Sequence, residues 1–234
     1  MNATTNAHAP FPLELQEVTR VFGTGARQVT ALDNIDLQLR PGELVAVMGP
    51  SSSGKSTLLN VAGLLLPPTS GRVLIDGADA ADLSKSASAT MRRRHLGFVF
   101  QNFNLVSTLT VGENVTLPLE LDGVSREKCR EAAEEALAEV SLEGVADRFP
   151  EEISGGQAQR VAIARALIGP RKVLLADEPT GALDTSTSDS IMKLLRSRID
   201  AGASGLLVTH EPRFAGWADS VVMVRDGKLS KEGN

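Results

Sequence analysis

The sequence predicts an α/β domain with a mostly parallel sheet, an antiparallel β layer on its N-terminal side and an inserted helical lobe. Three patterns carry that expectation. Short, continuous apolar runs at Leu44–Met48, Leu96–Phe100, Val173–Ala176, Leu206–Val208 and Val221–Val224 read as strands covered on both faces, as in a parallel sheet. Helical stretches at Lys55–Leu65, Arg126–Val140, Gln157–Ile168 and Ser186–Ile199 alternate with them. Residues from about 102 to 169 carry two or three helices and no strong strand, which marks the lobe.

In chain order, residues 1–11 read as a loose tail and 12–234 as one domain. Leu13, Leu15 and Val18, then Ile35, Leu37 and Leu39, alternate with polar residues, the pattern of half-buried strands in the antiparallel layer. Pro41–Gly42 turns the chain into the first buried run. Gly169–Pro170 stops the third helical stretch, and Asp226–Gly227 reads as a hairpin turn.

Composition narrows the class of function. A chain of 234 residues with 42% apolar and 23% charged residues is globular. Its net charge of −5 argues against wrapping nucleic acid, because phosphate contacts need concentrated cations. The single cysteine, Cys129, excludes an internal disulfide and a cysteine-built metal site. It lies in a helical stretch rich in charge and alanine and is expected to be a structural or surface thiol. The start, MNATTNAHAPFPL, lacks the basic and apolar runs of a signal peptide. Apolar runs such as Leu64–Leu66 fall far short of the roughly 18 residues a membrane helix needs. The expectation is a soluble cytosolic protein that reaches a membrane only through a partner.

Three motifs carry chemistry. GPSSSGKST, from Gly49 through Pro50, Ser51, Ser52, Ser53, Gly54, Lys55 and Ser56 to Thr57, follows a buried strand and opens a helix. Its glycines let backbone N–H groups turn toward phosphate oxygens, and the helix N-terminus adds to that attraction. Lys55 then reaches the β- and γ-phosphates, and the Ser56 hydroxyl can ligate Mg²⁺. VLLADEP, Val173 to Pro179, ends a strand in two acids: Asp177 is placed to hold Mg²⁺ through water, and Glu178 to deprotonate an attacking water. Two acids after a strand are otherwise an ordinary solvated turn; the phosphate loop upstream gives them a task. ISGGQAQR, Ile153 to Arg160, precedes an apolar helix, with Ser154 as N-cap and Gly155 and Gly156 exposing N–H groups. A simple capped helix accounts for Ser154 but not for the glycines and Gln157. One phosphate loop accounts for one nucleotide, so a second anion site far along the chain points to a ligand shared between two subunits.

From Leu13 to Leu229 the chain resembles the nucleotide-binding subunit of ABC transporters, which implies a P-loop NTPase core. GPSSSGKS resembles the Walker A motif, LLADE the Walker B motif with its catalytic glutamate, and ISGGQ the family signature. Gln101 resembles the Q-loop glutamine, which contacts both Mg²⁺ and γ-phosphate; GALD, ending in Asp184, the D-loop; and His210 the switch histidine. Phe22 stands where the family places the aromatic that stacks on adenine. Ser52 stands where glycine is common, Ile153 where leucine is, and Glu211 where aspartate is. QNFNLVSTLTVGENVTLPLEL and ADEPTGALD resemble the lipoprotein-releasing and macrolide-exporter branch.

The resemblance implies an ATPase that binds ATP and Mg²⁺, with Glu178, His210 and Gln101 as its catalytic residues. It implies a head-to-tail dimer with each ATP between one Walker A loop and the other subunit's Ser154–Gly156. It also implies a separate integral-membrane permease, with the ATPase peripheral on the cytoplasmic side, and no nucleic-acid partner. ATP-driven closure would move the permease, in export as the branch implies; the alternative is a regulatory or mechanical ATPase acting through a membrane partner without transport. The stretch after Gln101, Asn102–Thr110, suits neither helix nor strand. It reads either as a plug between the lobes or as an apolar groove for a permease helix.

Overall fold

The structure is a computed structural model and describes residues 10–231. Of the expected tail, residues 1–9 lie outside the described residues; Pro10 and Phe11 belong to no helix or strand. Two sheets organise the chain. The first is antiparallel, in the order β2 (Val29–Leu39), β1 (Leu13–Phe22), β4 (Ser70–Ile75) and β5 (Ala78–Asp79). The second has the order β10 (Lys228–Lys231), β9 (Ser220–Arg225), β3 (Leu44–Met48), β8 (Ser204–Val208), β7 (Val173–Asp177) and β6 (Leu96–Val99). It is parallel from β9 to β6, with β10 antiparallel at its edge.

Side-chain alternation explains why the parallel strands read as continuous apolar runs. Along β7, Val173 and Leu175 enter a core against β1, β2 and helix α1 (Lys55–Ala62). Leu174 and Ala176 enter a second core against α3 (Val111–Glu120), α4 (Arg126–Glu139), α5 (Gly155–Leu167) and α6 (Thr185–Asp200). Both faces are therefore buried, and each buried Leu, Ile or Val contributes about 1.5–3 kcal/mol. The remaining helices are α2 (Lys85–His95) and the single turn α7 (Pro212–Ala215).

Several boundaries differ from the sequence reading, each for a local reason. Helix α1 ends at Ala62 rather than Leu65, because Gly63 caps it and Leu64 takes a left-handed backbone with φ +58°. Gly63 itself is packed so closely that a Cβ would lie 2.2 Å from the Phe98 ring. Helix α5 begins at Gly155, two residues before the stretch from Gln157, directly after the expected N-cap Ser154. Strand β6 stops at Val99, leaving Phe100 outside it. Among the described residues no helix is long and apolar enough to cross a membrane.

Candidate active site

The parallel order β3–β8–β7–β6 brings four segments to one edge, the carboxyl end of the strands, where open α/β sheets place their ligands. Gly49–Thr57 follows β3, His210 follows β8, Glu178 follows β7 and Gln101 follows β6. The phosphate loop is held by close approach. A Cβ on Gly49, whose φ is +149°, would lie 2.1 Å from Val224 O; one on Gly54, with φ +110°, would lie 2.4 Å from Ala31 O. Only glycine fits at either point. Ser53 O accepts a hydrogen bond from Gly227 N at 3.0 Å, so the β9–β10 turn braces the loop from behind. Ser52 has a left-handed backbone, φ +61°, which is the conformation a glycine adopts freely. Pro50, Ser51, Ser52 and Ser56 are exposed, Thr57 is half-buried, and the buried Ser53 Oγ has no hydrogen-bond partner.

Lys55 Nζ donates to Gly49 O at 2.8 Å and Pro50 O at 2.7 Å, lying across its own loop. The Ser56 hydroxyl lies near enough to Asp177 to act on its carboxyl, so a hydroxyl and a carboxylate are neighbours. That oxygen pair suits Mg²⁺, which takes one or two protein oxygens together with substrate phosphates. Burial pushes the Asp177 carboxyl above the usual range; the Ser56 hydroxyl and the charge of Lys55 pull it down, and Glu178 pushes it up. Glu178 has a left-handed backbone, φ +48°, a strain of the kind stored at functional sites. Its Oε1 lies 2.7 Å from His210 Nδ1. That hydrogen bond, reinforced by the Glu178 charge, raises the His210 imidazole above its ordinary value.

The other candidate residues are placed as follows. Phe22 ends β1, opposite Val29 in the ladder and 40% exposed, so it is no core residue. The Arg20 guanidinium covers it 4.7 Å from the ring centroid. Gln101 is exposed in the turn after β6. Asp184 caps α6, its carboxylate accepting from Thr187 N at 3.0 Å and Thr187 Oγ1 at 2.6 Å; these bonds hold it below the usual carboxylate range.

Ser154–Gln157 stands apart. Among the described residues none of its hydrogen bonds reaches the phosphate loop, Asp177, Glu178 or His210. Ser154 and Gln157 form a capping box: Ser154 Oγ accepts from Gln157 N at 3.2 Å, and Gln157 Oε1 accepts from Ser154 N at 2.8 Å. Capping therefore explains Gln157 as well as Ser154, contrary to the sequence argument. It leaves the glycines unexplained, for nothing lies within 4 Å of a Cβ at Gly155. At Gly156 the same atom would meet only ordinary contacts, Ala182 O at 3.5 Å and Leu183 Cδ2 at 3.7 Å.

The ABC transporter family profile matches residues 32–181. ABC transporter ATP-binding protein YknY of Bacillus subtilis strain 168 is 45% identical over 220 residues, covering 93% of this chain and 94% of that protein. This chain belongs to the ABC transporter ATP-binding family. The macrolide export ATP-binding/permease protein MacB of Salmonella choleraesuis strain SC-B67 is 44% identical over 217 residues. Those residues are 93% of this chain, which spans only 34% of the length of that relative. Among solved structures, a dimeric post-hydrolysis state of the ATP-binding cassette MJ0796 bound to ADP and Pi superposes with a TM-score of 0.88 at 40% identity. It covers 95% of this chain and 99% of the other. The cassette is an ATPase of mostly parallel α/β fold, homologous to exporter ATPases.

Sequence reading missed two side chains next to this edge. Arg165 on α5 and Asn114 on α3 both bind the main chain after Gln101. Their signal is faint: an arginine between apolar helix positions, and an asparagine in the first turns of a helix.

Proposed function

We propose that this cassette couples ATP hydrolysis to a separate membrane permease of the exporter type, through closure of a head-to-tail dimer. The observation that carries it is the unequal pair of phosphate-facing ends. One, at Gly49–Thr57, is packed against the chain's own main-chain oxygens; the other, at Ser154–Gly156, has open space at Gly155 and only ordinary contacts at Gly156. A partner subunit's ATP fits that space. Residues 12–234 then act as one ATPase domain, with α3–α5, about 102–169, as its helical lobe, peripheral to the cytoplasmic face of the membrane.

In this reading Lys55 swings from Gly49 O and Pro50 O onto the phosphates, and the loop N–H groups bind the oxygens around it. Phe22 stacks on adenine with its free face, Arg20 occupying the other. Ser56 and Asp177, with Gln101, hold Mg²⁺, which when bound neutralises phosphate charge. Glu178 takes the proton of the attacking water while the P–O bond to ADP breaks. His210 holds the Glu178 carboxylate in place and aligns water and γ-phosphate. Asp184 borders the partner's site. ATP bridges the two subunits, and hydrolysis weakens the bridge, so the dimer opens again.

The test uses two variants. Glu178→Gln is expected to bind ATP normally, to hydrolyse it at least about 10²-fold more slowly, and to accumulate an ATP-bound dimer on size exclusion. Ser154→Arg is expected to bind ATP as a monomer without dimerising. Near-normal turnover in the first removes Glu178 as the base; normal turnover in the second overturns the shared site.

A further inference from the structure

The segment after Gln101 forms no helix or strand from Asn102 to Thr110, yet side chains from two helices hold it. On one side, Asn114 is fully buried. Its Oδ1 accepts from Val106 N at 2.7 Å, and its Nδ2 donates to Val106 O at 3.0 Å, Leu109 O at 3.1 Å and Thr110 O at 2.9 Å. On the other side stands Arg165, half-buried between Ala164 and Ala166 on α5. Burial lowers its guanidinium below the ordinary value, and no carboxylate acts against that.

Its donors go to the main chain. Nη1 donates to Asn104 O at 2.7 Å and Nη2 to Phe103 O at 2.6 Å. Phe103 and Asn104 both have left-handed backbones, φ +58° and +49°, which non-glycine residues seldom adopt without support. Two successive carbonyls thus turn toward one guanidinium, a match for its planar fork that a single ammonium cannot reproduce. Phe103 N donates in turn to Phe100 O at 3.1 Å, so the clamped turn encloses Gln101.

We propose that Arg165 is a positioning residue for ATP hydrolysis, fixing Gln101 relative to helix α5 by clamping the carbonyls of Phe103 and Asn104. The proposal rests on the reading of Gln101 as the side chain facing γ-phosphate. Helix α5 begins at the glycines that face the partner subunit, so the clamp makes that surface and Gln101 one mechanical unit. A partner's ATP arriving at Gly155 then moves Gln101 in the same step.

The experiment is a double-mutant cycle on the full chain with Arg165→Lys and Gln101→Ala, reading kcat, KM for ATP, affinity for a fluorescent ATP analogue, and melting temperature. Arg165→Lys is expected to lower kcat at least about tenfold, the scale of a misplaced reacting group. KM and analogue affinity are expected to stay within about twofold, since the phosphate loop is untouched. In the Gln101→Ala background, Arg165→Lys is expected to add no further loss. Wild-type kcat in Arg165→Lys, or losses that multiply in the double variant, overturns the proposal while the Gln101 reading stands. Wild-type kcat in Gln101→Ala alone removes that reading. If Arg165→Lys fails to fold, amide exchange on the unaltered chain decides instead. Protection of Phe103, Asn104 and Val106 comparable to α5 supports the clamp, and exchange at free-loop rates overturns it.

Discussion

Two pairs of glycines, one in the phosphate loop and one at the start of α5, stand in contrasting surroundings. Gly49 and Gly54 have no room for a Cβ: main-chain oxygens stand 2.1 and 2.4 Å from where it would be. Gly155 has nothing inside 4 Å of a Cβ, and Gly156 would meet only ordinary contacts, Ala182 O at 3.5 Å and Leu183 Cδ2 at 3.7 Å. The chain's own packing demands the first pair. Nothing in the chain's packing demands the second, and on the proposed reading the difference separates a half-site that folding completes from one that only association completes.

Alanine substitutions test that contrast most strongly. Gly49→Ala is expected to cost about 2–4 kcal/mol of stability, because the β9 backbone must move or the loop must unwind. Nucleotide binding is expected to go with it. Gly155→Ala is expected to leave unfolding within about 0.5 kcal/mol of the parent, or slightly improved, since alanine suits a first helical turn. Its ATP turnover is nevertheless expected to fall at least about tenfold while ATP binding by the monomer persists. Denaturant melts and turnover on both proteins decide it. A Gly155→Ala protein of unchanged turnover breaks the comparison, for the open space is then only solvent.

The same contrast explains what was legible in the sequence. Strands β3, β7 and β8 announce themselves because both faces are buried, and the phosphate loop because its glycines and lysine sit between a strand and a helix. Strand β4, SGRVLI, was invisible: only its last three residues are apolar, and its Gly71 serves a close approach, with Glu17 O 2.4 Å from a Cβ. Helix α2 buries no residue at all and shows no apolar face; Ser84 caps it and four basic residues end it. Within the site, residue order identified the candidates, but not that Gln157 would cap α5 or that Arg165 would bind carbonyls 61 and 62 residues away. Such bonds depend on tertiary placement, which local pattern does not encode.

Ser52 offers a smaller effect inside the demanding half. Its φ of +61° costs a side chain about 1–2 kcal/mol. Glycine there relieves that strain and returns about 0.5–1 kcal/mol of it as unfolded-state entropy. Ser52→Gly is therefore expected to raise stability by about 0.5–1 kcal/mol. An equal or lower midpoint in urea shows that the Ser52 side chain contributes something its exposed position does not reveal.

An effect as small lies where α2 meets the chain after α3. Asp122 Oδ1 receives Arg93 Nη2 at 2.6 Å and Arg94 Nε at 3.1 Å. The hydrogen bond from Arg93 holds the Asp122 carboxyl below its usual value against the opposing effect of burial, with Arg94 adding to it. Arg171, pushed down to about 10 by burial, also feels that carboxylate. A depressed carboxyl stabilises the fold above its unfolded pKa, about 3.9, and the contribution is lost as pH falls through the lower folded value. Solvent screens the pair, since the Arg94 side chain is 59% exposed, so the stabilisation at neutral pH is about 0.5–1 kcal/mol. Asp122→Asn is thus expected to be less stable than the parent by that amount at pH 7 and by progressively less from about pH 4 downward. Urea melts of both proteins at several pH values read the gap directly. A gap that stays constant as pH falls shows that Asp122 acts through its shape and neutral hydrogen bonding rather than its charge. In that case, the electrostatic tie between α2 and the chain after α3 disappears from the account.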